Sequence, residues 1–84
     1  MPKYLDHHKK MPNLPPEVVK QLQEAIKSGK PNQLGVKPLN AFIGKDGQGW
    51  CYSEAPNADA VCKTHEAIGV KLPKGDVVEV TTMA

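Results

Sequence analysis

A hairpin turn with a helical pattern on each side is the feature that most limits how this 84-residue chain can fold. The dipeptide Asp46-Gly47 separates two short strand patterns at residues 36–43 and 49–54, and such a dipeptide is typical of a tight hairpin. One amphipathic helix is predicted before the hairpin and one after it, and a further strand lies at each end. The predicted order is therefore strand, helix, strand, strand, helix, strand.

Helix signals and breakers give the bounds of these elements. The outer strands are predicted at residues 3–8 and 76–82. The first helix begins at Pro16, because the missing N–H of proline costs nothing at a first helical position, and it ends at Gly29. The second helix is capped by Asn57 and ends at Gly69. Residues 9–15, with Pro12 as a breaker, are predicted to form a loop.

This order of elements has one common solution, the ferredoxin-like βαββαβ sandwich of the α+β class. We expect a four-stranded antiparallel sheet with the strand order 4-1-3-2 and two helices on one face, and residues 1–84 as a single domain. The first and third strands are then central neighbours that run in opposite directions. His8 is therefore predicted to face Trp50 at the start of the third strand.

Side-chain alternation along the strands predicts two polar clusters. His7 and Cys51 are predicted to point toward the helices, where His65 returns in the last turn of the second helix. Asp6 and His8 are predicted on the open face of the sheet. The open face is also predicted to carry Tyr4, Phe42, Trp50, Tyr52, Glu54 and Glu79, and the helix side Leu5, Leu39, Ala41, Ile43, Ser53, Val78 and Val80.

Composition narrows the classes of partner. Only 39% of the residues are hydrophobic and few are aromatic, so we expect a homodimer that covers the open face of the sheet. All basic residues are lysines, and the lack of arginine argues against nucleic acid as a partner. No segment is apolar enough to predict a signal peptide or a membrane span, so we expect a cytoplasmic protein without membrane contact. In that compartment Cys51 and Cys62 are expected to be reduced thiols on the helix side.

Four segments in a fixed order resemble a family of small prokaryotic domains described as nickel-binding proteins, the DUF4242 family. They are Tyr4-Leu5-Asp6-His7-His8-Lys9, Gly35-Val36-Lys37, Trp50-Cys51-Tyr52-Ser53-Glu54-Ala55-Pro56 and Ala60-Val61-Cys62-Lys63-Thr64-His65-Glu66-Ala67. The resemblance covers nearly the whole chain. It implies a ferredoxin-like fold, a homodimer and a site for Ni²⁺ or another divalent transition metal, with Asp6, His8, Cys51, Glu54 and His65 as its ligands.

The chain departs from the family pattern at two places. Relatives often have a histidine and an acidic residue in the first helix, where this chain has Gln21, Gln23 and Glu24, and a second histidine where this chain has Ile68. Water or the second subunit would then have to complete the coordination of a metal.

The residues themselves leave other interpretations open. Cys51 and Cys62 fit buried apolar positions, and His65 fits a hydrogen-bonded core histidine. A dimeric α/β-barrel enzyme, or a small-molecule-binding protein, could use His8 with Asp6 or Glu54 as an acid–base pair on the open face. Aromatic residues on an open sheet are also the platform of single-stranded RNA binders, but the acidic residues beside them disfavour RNA.

Overall fold

Four strands and two helices follow one another in the predicted order in the computed structural model, which describes residues 1–11 and 13–83. Pro12, predicted to lie in the loop before the first helix, is outside the described residues. The elements are β1 (Lys3–His8), α1 (Pro16–Ser28), β2 (Lys37–Ile43), β3 (Gly49–Glu54), α2 (Ala58–Ala67) and β4 (Val77–Val80). In the described residues, neither helix has the length and apolar composition needed to cross a bilayer.

The sheet has the predicted topology. Its strands are ordered β2-β3-β1-β4, which is 4-1-3-2 read from the opposite edge, and every neighbouring pair is antiparallel. The predicted α+β, ferredoxin-like class is thus confirmed. β1 and β3 pair along their full length, so Asp6 lies opposite Cys51 and His8 lies opposite Gly49. This register places the centre of β1 against the start of β3.

Both helices begin where predicted and α1 also ends where predicted, whereas α2 ends at Ala67, two residues before the predicted Gly69. Pro16 is the first residue of α1, and Gly29 ends it with a φ of 67°, a left-handed conformation that glycine adopts at no steric cost. The Oδ1 atom of Asn57 accepts a hydrogen bond of 2.8 Å from the backbone N–H of Ala60 and so caps α2. This cap fixes the start of the helix that carries His65.

Two strand bounds differ from the prediction. β4 is shorter at both ends than the predicted 76–82. It starts later because residues Lys74–Asp76 form a 3₁₀ turn, in which the N–H of Asp76 donates to the carbonyl of Pro73 at 2.9 Å. β2 begins at Lys37 rather than Val36, and its pairing with β3 is irregular between Pro38 and Asn40. The hairpin is confirmed, and Gly47 has a φ of 89° in its turn.

The predicted side-chain faces of β1 and β4 are wrong. Residues directly opposite one another in an antiparallel pair share a face, so Asp6 lies on the same face as Cys51. Tyr4, Asp6 and His8 are buried beneath the helices rather than exposed on the open face. Val78 lies across from Leu5 on the open face and is 57% exposed. The core on the helix side comprises Tyr4, Val36, Ala55, Ala60, Val61, Cys62 and Leu72.

Both cysteines are free and lie on the helix side, as predicted. Cys62 is part of the buried core, so the apolar interpretation of this residue is confirmed. Ile68, which stands where relatives often have a second histidine, directly follows α2 and is 47% exposed.

Candidate metal centre

Four of the five predicted metal ligands converge beneath α2. The side chains of Asp6, His8, Cys51 and His65 each offer one donor atom, and these atoms all lie within 4.8 Å of one another. The register of β1 and β3 places Asp6 beside Cys51, and the regular spacing of β1 puts His8 on the same face. His65 reaches the group from α2, so its predicted return toward Cys51 is confirmed.

Glu54 is the predicted ligand that the fold keeps apart. It lies three residues after Cys51 on β3, so the two side chains point to opposite faces of the sheet. Its Oε1 atom is 3.7 Å from the Nζ atom of Lys3, its partner on β1. Glu54 therefore belongs to a surface ion pair and not to the cluster.

The two neighbouring histidines have exchanged their predicted faces. His8 was expected opposite to Cys51 across the sheet but lies on the same side, within the cluster. His7 was expected beside Cys51 but lies on the open face, where its Nε2 atom is 2.7 Å from Oε1 of Gln48. Its ring centroid is 5.4 Å from that of Trp50. The regular pairing of β1 with β3 is enough to bring His8 to the side of the sheet that carries Cys51.

Asp6 is the centre of the cluster. Its side chain is fully buried, and its Oδ1 atom is 2.7 Å from Nε2 of His8 and 3.6 Å from Nε2 of His65. Burial raises the pKa of Asp6 above its usual 3.8, although the nearby His65 and His8 oppose this shift. Its Oδ2 atom is buried and has no hydrogen-bond partner among the described residues. A buried carboxylate oxygen without a partner is costly, so this atom favours the binding of a cation.

The orientation of His65 points its free nitrogen into the cluster. Its Nδ1 atom is 2.8 Å from the carbonyl oxygen of Val61, which can only accept, so Nδ1 is assigned the proton. In the neutral ring Nε2 then carries a lone pair that faces Oδ1 of Asp6. Two acceptors face each other stably only when a proton or a metal ion lies between them. Such a backbone contact is also the usual way in which a metal-binding histidine is oriented.

The Cys51 thiol is protonated in the metal-free protein at neutral pH. Burial, together with the negative charge of Asp6, raises its pKa to about 12. A thiol binds a metal as the thiolate, so an ion that binds here must displace this proton.

We therefore predict that Cys51 reacts very slowly with iodoacetamide in the folded, metal-free protein. With a pKa of about 12, only about 10⁻⁴ of the thiol is ionised at pH 8. The Asp6→Asn variant should react faster, since the negative charge beside the sulfur is gone. Mass spectrometry of peptides after timed alkylation measures the rate at each cysteine. Alkylation of native Cys51 as fast as that of the unfolded chain would contradict the buried, carboxylate-linked environment.

Two further features of this region are not predicted by any pattern in the sequence. Gly49 lies opposite His8, and a Cβ atom at this position would clash with Cγ of Met11, so the Met11 side chain packs directly over the glycine. A cavity of about 470 Å³ lies between α1 and the sheet and borders Cys51 and His65. Hydrophobic periodicity cannot predict either feature. It does not show where the side chain of a loop methionine packs, or how far a helix lies from the sheet.

Comparisons with known proteins support the fold. No family model matches the chain, and no curated protein matches it. Among solved structures the chain is similar to SCO4226 from Streptomyces coelicolor A3(2), with 26% sequence identity and a TM-score of 0.70. The match covers 98% of this chain and 99% of the Streptomyces chain. The two proteins therefore share one α+β fold over their whole lengths.

Proposed function

We propose that this protein binds one divalent transition-metal ion, of the nickel type, through Asp6, His8, Cys51 and His65. The observation that carries the proposal is the convergence of these four donor groups within 4.8 Å in a mostly buried site. Imidazole nitrogen suits zinc, copper, iron and nickel, and thiolate favours the softer of these ions. Magnesium and calcium prefer sites made of oxygen alone, so this donor set disfavours them.

Two details of the site fit a bound cation. The distance of 3.6 Å between Oδ1 of Asp6 and Nε2 of His65 is close to the roughly 3.4 Å that separates two donors about 2.1 Å from a tetrahedral ion. The partnerless Oδ2 atom of Asp6 offers a second oxygen in the same place. A metal ion would supply the positive charge that this carboxylate lacks when both imidazoles are neutral.

Calorimetric titration of NiCl₂ and ZnCl₂ into untagged, metal-free protein tests the proposal. A histidine tag must be absent because it binds both ions. We expect one ion per chain and the release of a proton on binding, since the Cys51 thiol must give up its proton to bind as the thiolate. Binding should weaken at acid pH, where protons compete for the same nitrogen and sulfur atoms. Failure of both ions to bind the untagged protein would leave the cluster as a structural polar network.

The hydrogen bond between His8 and Asp6 favours a second candidate, an acid–base pair in a small-molecule site. Its length is 2.7 Å, as an oriented catalytic dyad requires. The pair lies beneath the helices, so the predicted location on the open face is wrong. His8 is only 6% exposed, and a substrate could approach it only after the overlying residues move. This burial makes the metal site the better supported of the two functions.

We also propose that a second copy of the chain covers the open face of the sheet. Phe42 is 53% exposed and Val78 57% exposed on this face. The free thiols of both cysteines fit the reducing cytoplasm as the compartment of such a dimer.

Replacement of Phe42 and Val78 together by lysine should therefore shift a dimer to monomer, because two charges would be buried in the contact. Sedimentation equilibrium measures the mass in solution. Val19→Lys is the matched control, since Val19 is 40% exposed on α1, away from the open face. A wild-type protein that stays monomeric at high concentration, or a double variant with the same mass as wild type, would refute the dimer.

A further inference from the structure

The cavity beneath α1 is a second feature of the molecule with the properties of a ligand site. Its volume is about 470 Å³, within the range of roughly 300–1,000 Å³ typical of pockets for small organic molecules. Most of its lining is apolar and comes from the apolar stripe of α1, the loop before it and the sheet. The lining includes Met11, Leu14, Val18, Leu22, Ala25 and Val36.

The packing of α1 is unusual for an amphipathic helix. All of its residues are described and none of them is buried, although Val18, Leu22 and Ala25 recur on one face. The helix rests on the sheet mainly through β2, at the edge of the sheet. Its apolar stripe therefore faces the cavity. Protein interiors are normally close-packed, and residues on opposite walls of a cavity of this size do not contact one another. An apolar guest would contact both walls.

One charged group at the cavity indicates the polar end of the guest. Among the described residues that line the cavity, Lys30, two residues after the end of α1, is the single lysine, and none is acidic. Lys30 has no ion-pair partner within 4 Å among the described residues. Asn32, also in the lining, donates a hydrogen bond of 3.0 Å to Thr64 and so ties this rim of the cavity to α2. An exposed cation at the rim of an apolar cavity is complementary to a molecule with an apolar body and one anionic end.

We propose that the cavity binds a small carboxylic acid with an apolar body, such as a medium-chain alkanoate. The hydrocarbon lies between α1 and the sheet, and the carboxylate pairs with Lys30 at the rim. This site is distinct from the proposed metal site, because Lys30 and not one of the four metal ligands binds the carboxylate. It borders them, because Cys51 and His65 form part of the cavity wall.

Displacement of the neutral, apolar fluorophore N-phenyl-1-naphthylamine from metal-free protein tests the cavity itself. We expect the fluorophore to bind wild type and to be displaced by decanoate and by decanol. Leu22→Trp should abolish this binding by filling the space, whereas Val19→Trp, on the exposed side of the same helix, should leave it unchanged. Absence of fluorophore binding to wild type, or equal binding to both tryptophan variants, would overturn the proposal. Circular dichroism confirms that each variant is folded.

The preference for carboxylate tests the role of Lys30. Decanoate should bind wild type about two- to fivefold more tightly than decanol, the range expected for an exposed ion pair. This preference should vanish in Lys30→Gln and persist in Lys27→Gln, a change on α1 outside the cavity lining. A preference that survives Lys30→Gln would refute the assigned anchor. Because all of these titrations use metal-free protein, their failure is distinguishable from failure of the metal site.

Discussion

Replacement of either His8 or His65 by alanine is expected to weaken the binding of nickel and zinc at least about 100-fold. Loss of a residue that only supports a metal ligand already costs 10–100-fold in affinity, so loss of a ligand itself should cost more. Both side chains direct a ring nitrogen at Asp6, at 2.7 Å for His8 and 3.6 Å for His65. Calorimetric titration of the untagged variants measures the change in affinity.

His7→Ala is the matched control for these variants. His7 is the direct neighbour of His8 in the chain but lies on the other face of the sheet, hydrogen-bonded to Gln48. Its removal should leave metal affinity within about twofold of wild type, because a surface substitution away from the site changes little. Equal losses in His7→Ala and His8→Ala, or binding unchanged in both His8→Ala and His65→Ala, would contradict the assigned ligands.

Asp6→Asn is expected to abolish tight metal binding and yet stabilise the metal-free protein at pH 8. Burial holds the pKa of Asp6 above its usual 3.8. A raised carboxyl pKa means that the folded state disfavours the ionised form, so the penalty is complete above the folded pKa. The penalty is relieved as pH falls through that pKa toward the unfolded value. The neutral asparagine carries no such penalty, so its advantage over wild type should be greatest at pH 8 and should shrink in acid.

Urea denaturation of the metal-free proteins at pH 8 and at pH 4 measures this difference in the free energy of unfolding. Asp59→Asn is the control, because Asp59 is exposed on α2 and its one ion pair among the described residues is with Lys74, at 3.0 Å. Its effect on stability should be small. If Asp6→Asn is less stable than wild type at pH 8, and its disadvantage is no smaller there than at pH 4, Asp6 stabilises the metal-free fold as an anion. That result would contradict the prediction.

The order of elements was predictable because local chemistry determines it. Helix ends are marked locally, by the backbone preferences of Pro16 and Gly29 and by the side-chain cap of Asn57. The dipeptide Asp46-Gly47 marks the hairpin through its backbone preference. None of these signals depends on which residues pack together. The sheet topology followed from the order of the elements, since few arrangements of this order are common.

The face of β1 could not be predicted in this way. Lys3, Leu5 and His7 alternate with Tyr4, Asp6 and His8, and each set contains one apolar or aromatic residue among polar ones. The hydrophobic pattern therefore does not choose a face. The predicted register pairs His8 with Trp50, whereas the partner of His8 is Gly49. A slip of one residue in register moves every side chain of a strand to the other face.

The five predicted metal ligands were implied by the family resemblance. Four of them lie together in the structure, and Glu54 does not. Strand periodicity alone separates Glu54 from Cys51, because the two residues are three positions apart on β3 and must point to opposite faces. Asp6 and His8, two positions apart, must share a face. The position of α1 over β2, and hence the cavity, depends on packing between elements distant in the chain and leaves no local pattern.

The X-ray absorption spectrum of untagged protein loaded with one equivalent of Zn²⁺ tests the metal site most directly. If Asp6, His8, Cys51 and His65 bind the ion together, the spectrum contains one sulfur at about 2.3 Å and two imidazole nitrogens at about 2.0–2.1 Å. The sulfur signal should disappear in Cys51→Ser and remain in Cys62→Ser, whose sulfur lies in the apolar core. A coordination sphere of oxygen alone, or a spectrum unchanged in Cys51→Ser, would contradict the site.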